Sequence, residues 1–186
     1  MSPSSASVRL RVFVQIAAIS AAVLGSGALG CGGGRSFDAG VFRQGEHIAF
    51  RVPEPPASWR RLEMAQASLA FRDDAAGASV LVNAQCKRAD DDTPLAALTN
   101  HLLIGTTERQ LESQTVAPFD GREALQTKVR AKLDGVPFAF DIFVLKKDGC
   151  IYDFVLVAPE ESAEASRPTF EGWVRGFRTL PGAGVL

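Results

Sequence analysis

The side chains with the widest chemical reach in this 186-residue chain are three cysteines, Cys31, Cys86 and Cys150, and two histidines, His47 and His101. A cysteine beside a histidine becomes a nucleophile when the imidazole stabilises the thiolate. Cys150 with His101 is the sharpest such pairing here, and it would make a small hydrolase. From Cys31 onward there is no GxSxG elbow, Walker loop, HExxH pair or doubled CxxC. The segment Gly25-Ser26-Gly27-Ala28-Leu29-Gly30 spells GxGxxG, but that pattern cradles a pyrophosphate only between a strand and a helix of a βαβ unit. Here it lies inside an uncharged apolar run. The triplet Asp90-Asp91-Asp92 lacks the alternating ligands and downstream glutamate of a calcium loop, so it is expected to serve a helix start instead. His101 has no His or acid one helical turn away. No cofactor and no metal site is expected.

The first thirty residues carry Arg9 and Arg11 as their only charges, then an apolar stretch, then small residues up to Cys31. That order is the basic, apolar, small-residue order of an export signal. The apolar stretch partitions into the bilayer while the arginines stay on the cytoplasmic side. Ala28-Leu29-Gly30-Cys31 resembles the lipobox of bacterial lipoproteins, although that family prefers a branched apolar residue where Ala28 stands. The resemblance implies cleavage after Gly30, diacylglycerol on the Cys31 sulfur, and an anchor of three acyl chains, with palmitate among the expected modifications. Gly32 in place of the retention aspartate implies the outer membrane, with the domain facing the periplasm. The alternative is an uncleaved helix, since Val12 to Gly30 approaches the ~20 residues of a membrane span.

With Cys31 given to lipid, Cys86 and Cys150 remain as an even pair in an oxidising compartment. They are expected to form a disulfide; the other outcome is two buried thiols that only pack. Net charge is −1, and becomes more negative once the two leader arginines are removed. No basic excess points to nucleic acid.

The remainder is one domain's worth of chain, expected over residues 41–180 between a Gly-rich tether (31–40) and a loose tail (181–186). Val41 to Val52 is expected to form a hairpin closed by Pro53, Pro55 and Pro56. Trp59 to Met64, Ala67 to Arg72 and Ser79 to Ala84 are expected strands. A helix is expected from Pro94, capped by Asp92 or Thr93, with Leu95, Leu98, Leu102 and a position near Gly105 on its buried stripe and Leu111 near its end. From Leu125 to Leu133 apolar and polar residues alternate. Asp134-Gly135 marks a hairpin turn, and Phe138–Lys146 and Cys150–Val157 complete a three-stranded antiparallel meander. A closing helix starts at Pro159, and Phe170, Trp173, Val174 and Phe177 recur at i, i+3, i+4 and i+7 as a buried aromatic stripe.

This order, with the Phe50-Arg51-Val52-Pro53 to Trp59 spacing and Phe-x-x-Trp-Val-x-x-Phe at the end, resembles the fold shared by PsbP, the Ran-binding Mog proteins and DcrB-type lipoproteins. The resemblance spans about residues 41–180. It implies an α+β sandwich around an antiparallel sheet, used across relatives for docking and chaperoning, with no common active site.

The leading expectation is a lipid-anchored, non-enzymatic envelope module that binds a protein partner. The row Lys128, Arg130 and Lys132 and the loop Pro53-Glu54-Pro55-Pro56 are candidate contacts, or else a solvated strand face and a stiff loop. The competing expectation is a small-molecule carrier with a pocket between sheet and helix lined by Phe138, Phe140 and Trp173.

Overall fold

The computed structural model describes residues 34–86 and 92–181. The leader, Cys31, Asp90, Asp91 and residues 182–186 lie outside the described residues. The strands are β1 (Arg35–Asp38), β2 (Val41–Gln44), β3 (Ile48–Arg51), β4 (Trp59–Leu62), β5 (Leu69–Asp73) and β6 (Ala78–Cys86). Helix α1 (Leu95–Leu102) follows, then β7 (Thr106–Phe119), β8 (Arg122–Leu133), β9 (Val136–Lys147) and β10 (Cys150–Pro159). Helix α2 (Glu160–Arg175) and the short β11 (Arg178–Thr179) close the chain.

The strands form a seven-stranded antiparallel sheet in the order β4-β5-β6-β10-β9-β8-β7 and a four-stranded sheet in the order β1-β2-β3-β11. Alternation along β8–β10 sends one set of side chains to each face of the large sheet. Ala139, Phe143, Leu145, Tyr152, Phe154 and Leu156 face α2 and the small sheet, where Phe42, Phe50, Trp173 and Phe177 complete the larger core. Phe140, Ile142, Val144 and Val155 face α1 and form a second, smaller core with Val129 and Ala131. The rings of Phe50, Tyr152 and Phe154 meet Phe177 at centroid distances of 5.5, 5.1 and 5.0 Å. Trp173 donates its indole N–H to the Pro53 carbonyl at 2.8 Å, which ties the proline loop to α2. Gly176 sits so close to this loop that a Cβ there would lie 2.2 Å from Pro53 Cγ.

Cys86 and Cys150 are directly opposed in the β6–β10 ladder and form a disulfide, with their Cα atoms 4.0 Å apart. The same end of the sheet holds the first residue of β1. Arg35 pairs with Gln44 beside the β2–β3 turn, and its guanidinium donates to the carbonyls of Ala65 and Ala67 in the β4–β5 connection. The opposite end carries the Asp134-Gly135 turn, the residues after α1 and the start of α2. Both turn residues have positive φ, 51° and 81°, as the primed hairpin turn requires.

The meander and the α2 stripe stand where the residue pattern puts them. Four expectations need correction. The tether is shorter than residues 31–40, because Arg35–Asp38 pairs with β2; alternate residues of that segment meet a partner strand, which local composition does not show. The first helix stops at Leu102 and does not reach Leu111. Gly105 at φ 90° breaks it, as a left-handed glycine after a helix does, and the β-branched Thr106-Thr107 opens a strand. That strand was missed because β7 is exposed on both faces through its middle, so it lacks an apolar period. Pro94, and not Asp92 or Thr93, is the N-cap residue of α1, and it makes no side-chain capping bond. Finally, β11 was unforeseen; at two residues it has no periodicity to detect.

Replacing both Cys86 and Cys150 by alanine is expected to lower stability by about 4 kcal/mol, as loop-closure entropy predicts for this separation. Urea unfolding of the wild type with and without reductant should reproduce the shift. Trp173→Ala, which empties a core position and strands the Pro53 carbonyl, should cost about 3 to 5 kcal/mol in the same measurement.

Candidate functional site

Helix α2 turns its aromatic stripe to the sheet, and this leaves two flanks. Along one flank Glu160, Glu164, Arg167 and Glu171 recur at i, i+4, i+7 and i+11. This places them over the even-numbered residues of β8, which face α2. The expected basic row lies there, and each member is ion-paired within the molecule. Lys128 Nζ is 2.7 Å from Glu171 and 3.9 Å from Asp141. Arg130 pairs with Glu112, and Lys132 lies 2.8 Å from Glu108. Arg167, itself buried, bridges Glu112 and Glu164. The acids come from β7, β9 and α2, elements outside β8 itself, so the alternation along β8 alone could not reveal them.

Asp141 is fully buried in this network. Gln126 Nε2 donates to Asp141 and to Glu171, both at 3.1 Å, and joins the two carboxyls. Burial pushes the Asp141 carboxyl up to about 6, with Gln126 and Lys128 pulling it back and Glu171 adding to the rise. For Glu171 burial acts upward too, but Lys128 and Gln126 hold it below its ordinary value. Glu112 likewise stays low against its burial because Arg130 and Arg167 bind it. On the other face of the sheet burial raises Asp153 to about 6, although Asn83 donates to it at 2.8 Å. Asp120, in the β7–β8 turn, is held low against its burial by Lys147 and Thr179, which it clamps to the hairpin. The Tyr152 hydroxyl is buried with no hydrogen-bond partner among the described residues, and burial, then Asp148 and Asp120, pushes it up to about 12.

The other flank of α2 leaves a cleft of about 250 Å³ over β4–β6, lined by Trp59, Asp73, Val80, Leu156, Ser166 and Thr169 among others. This is a space between sheet and helix, but not the one expected. Phe138 and Phe140 belong to the α1 face and Trp173 to the α2 face, so the sheet separates them and they line no common pocket.

The Cys–His pairing is corrected by the disulfide. Cys150 sulfur is bonded to Cys86 and offers no thiolate, while His101 is exposed at the end of α1. His47 is half-buried beside the β2–β3 turn. Among the described residues no group of three or more His, Cys, Asp or Glu side chains is placed to hold a metal, and no helix is long and apolar enough to cross a membrane. The Pro53-Glu54-Pro55-Pro56 loop exposes Glu54 while Pro53 is engaged by Trp173.

A mainly antiparallel sheet with two helices, arranged in this order, defines an α+β fold of the PsbP-like class. Solved structures that share it include cyanobacterial PsbP from Synechocystis sp. PCC 6803, with a TM-score of 0.52 at 17% identity, covering 84% of this chain and 99% of that one. LpqN, involved in cell envelope biogenesis of Mycobacterium tuberculosis, has a TM-score of 0.50 at 16% identity over 71% of this chain and 83% of that one. A protein of unknown function from Pseudomonas aeruginosa has a TM-score of 0.51 at 12% identity over 76% and 96%. No protein-family model matches the chain, and no curated protein matches its sequence.

Two raised carboxyls give the domain an unusual acid response. A folded-state pKa above the unfolded value means that the folded state takes up the proton first, so stability rises as pH falls through that value. A rise from 3.8 to about 6 corresponds to a cost on the order of 3 kcal/mol at neutral pH for each of Asp141 and Asp153. The melting temperature is therefore expected to climb between pH 7.5 and pH 5. It should then fall below about pH 4, as the depressed Glu112, Asp120 and Glu171 take up protons and lose their partners. Lys128→Met should cost about 1.5–3 kcal/mol at pH 7 and less at pH 5, where Asp141 carries a proton toward Glu171. Calorimetry of both proteins across this range tests the two statements.

Proposed function

We propose that this chain is a lipid-anchored envelope protein, fastened at Cys31 to the outer membrane with its domain in the periplasm, and that the domain is a non-enzymatic protein-binding module. The observation that carries the reading is the polarity of the domain. Its chain enters at the disulfide end, where Arg35 holds the β4–β5 connection. Only three residues stand between Cys31 and Arg35, and the four steps reach about 14 Å at full extension. An anchor there holds the disulfide end at the bilayer and points the opposite end away from it.

At that opposite end three large aliphatic side chains stand in the open close together, whereas the other exposed ones, Met64, Leu111 and Val116, are scattered singly over the β4–β5 connection and β7. Ile104 after α1 is 72% exposed, Val136 at the start of β9 is 53% exposed, and Leu133 across the turn is partly exposed as well. The register places them together, since Leu133 pairs with both Val136 and Thr106. Exposed aliphatics clustered on two adjoining loops mark a contact surface more than a solvated one. Arg130 and Lys132 flank this end, and their exposed portions give the basic row a part in the contact, provided that a partner's acids exchange with Glu112 and Glu108. The envelope role of LpqN supports the same reading.

Two measurements test it. Labelled palmitate should enter the wild type and not Cys31→Ser; absence of label from the wild type defeats the anchor. A photo-crosslinker at Val136 should capture a discrete protein from envelopes, and one at Glu46, at the disulfide end, should not. Equal capture from both positions defeats the orientation.

A further inference from the structure

The cleft between α2 and β4–β6 is built from an apolar floor, an indole and one carboxylate. Trp59 and Asp73 are directly opposed in the β4–β5 ladder and therefore share a face, the one under α2. Val80 and Leu156 form the floor, and Ser166 and Thr169 of α2 form the far rim. Asp73 lies at the point where apolar lining meets solvent. Its Oδ1 accepts from the backbone N–H groups of Ala75 and Ala76, both at 3.2 Å, and its Oδ2 accepts from Ser58 at 3.1 Å. A carboxylate has about four acceptor sites, and three are taken. Asp73 has no ion pair among the described residues. The adjacent Asp74 draws both nearby arginines, Arg60 and Arg72, and neither of these lines the cleft.

The volume narrows the occupant. About 250 Å³ exceeds the ~150 Å³ cavity that accommodates benzene and falls short of the roughly 300–1,000 Å³ of a drug-sized ligand site. It suits an apolar body of about one ring or one side-chain stem. A positive head on that body would meet Asp73 through a charge-assisted hydrogen bond and lie near the indole of Trp59, whose π face attracts cations.

We propose that this cleft is a binding site for one compact amphiphilic cation, an ammonium or guanidinium group on a short apolar body. The apolar part rests on Val80, Leu156 and Trp59, and the charge reaches Asp73. The same chemistry belongs to a free amine and to a lysine or arginine side chain of a polypeptide. The site uses neither the anchor nor the exposed aliphatic end, so it stands or falls apart from the docking reading.

The full chain in lipid nanodiscs, titrated with benzylammonium and followed by the fluorescence of its two tryptophans, tests the assignment. A saturable change is expected, at least about tenfold weaker for benzyl alcohol, which keeps the ring and loses the charge. Asp73→Asn should weaken benzylammonium by about tenfold and leave benzyl alcohol unchanged. Ser166→Leu, which fills the cleft from the helix side and leaves the Asp73 turn intact, should abolish both and serves if Asp73→Asn does not fold. A second arm with a Gly-Lys-Gly amide separates the sources: tighter binding than benzylammonium identifies a polypeptide lysine, and weaker binding a free amine. No saturable response, equal binding of the neutral alcohol, or unchanged binding in Ser166→Leu would overturn the proposal.

Discussion

The fold depends on burying both faces of one strand. β10 lies between β6 and β9, with Tyr152, Phe154 and Leu156 turned to one core and Val155 to the other. A strand covered on both sides cannot slip by a residue without exchanging every side chain between the faces, and here the exchange would drive Asp153 into the aromatic core. The Cys86–Cys150 bond fixes the same register covalently at the strand's first residue. Helix α2, the small sheet and α1 are the coverings that this strand requires.

The coverings are joined by unlike forces. Phe177 lies just beyond α2 yet is fully buried, and it brings Phe50 of the small sheet against Tyr152 and Phe154 of the large one. That contact is apolar and tolerant of direction. On the flank over β8 the helix is held by charge instead, through Lys128 to Glu171 and Arg167 to Glu112. Such pairs add little net stability where solvent reaches them. They fix which way the helix lies, because any rotation would carry Glu171 away from Lys128 and Gln126 and Arg167 away from Glu112.

How much of this was legible in the sequence follows from the same division. Segments whose burial is one-sided or complete announced themselves: the alternation from Leu125 to Leu133, the Asp134-Gly135 turn, and the i, i+3, i+4, i+7 aromatic stripe of α2. The paired cysteines were legible because cysteine number and compartment limit the choices. Segments with no apolar period of their own were not. β7 carries polar residues on both faces and so has no period, and β1 looks like a glycine-rich lead-in until β2 is laid beside it. The basic row was visible as residues but its acids were not, since Glu112 and Glu108 sit in the unrecognised strand. The cleft under α2 escaped for a related reason: Trp59 and Asp73 become neighbours only through the β4–β5 register.

The long outer strand has a further meaning. Among the described residues β7 borders the large sheet with no strand beyond it, the arrangement that invites one molecule to add itself to another in endless stacks. Its ladder to β8 breaks register between Thr107 and Gln110 and again between Leu111 and Ser113, Glu108 takes a φ of 51°, and Pro118 lacks an amide hydrogen. A border so crimped offers no straight rail for templated growth. Copies of the domain are thus kept from stacking edge to edge into fibrils, and whatever meets it must do so at its faces.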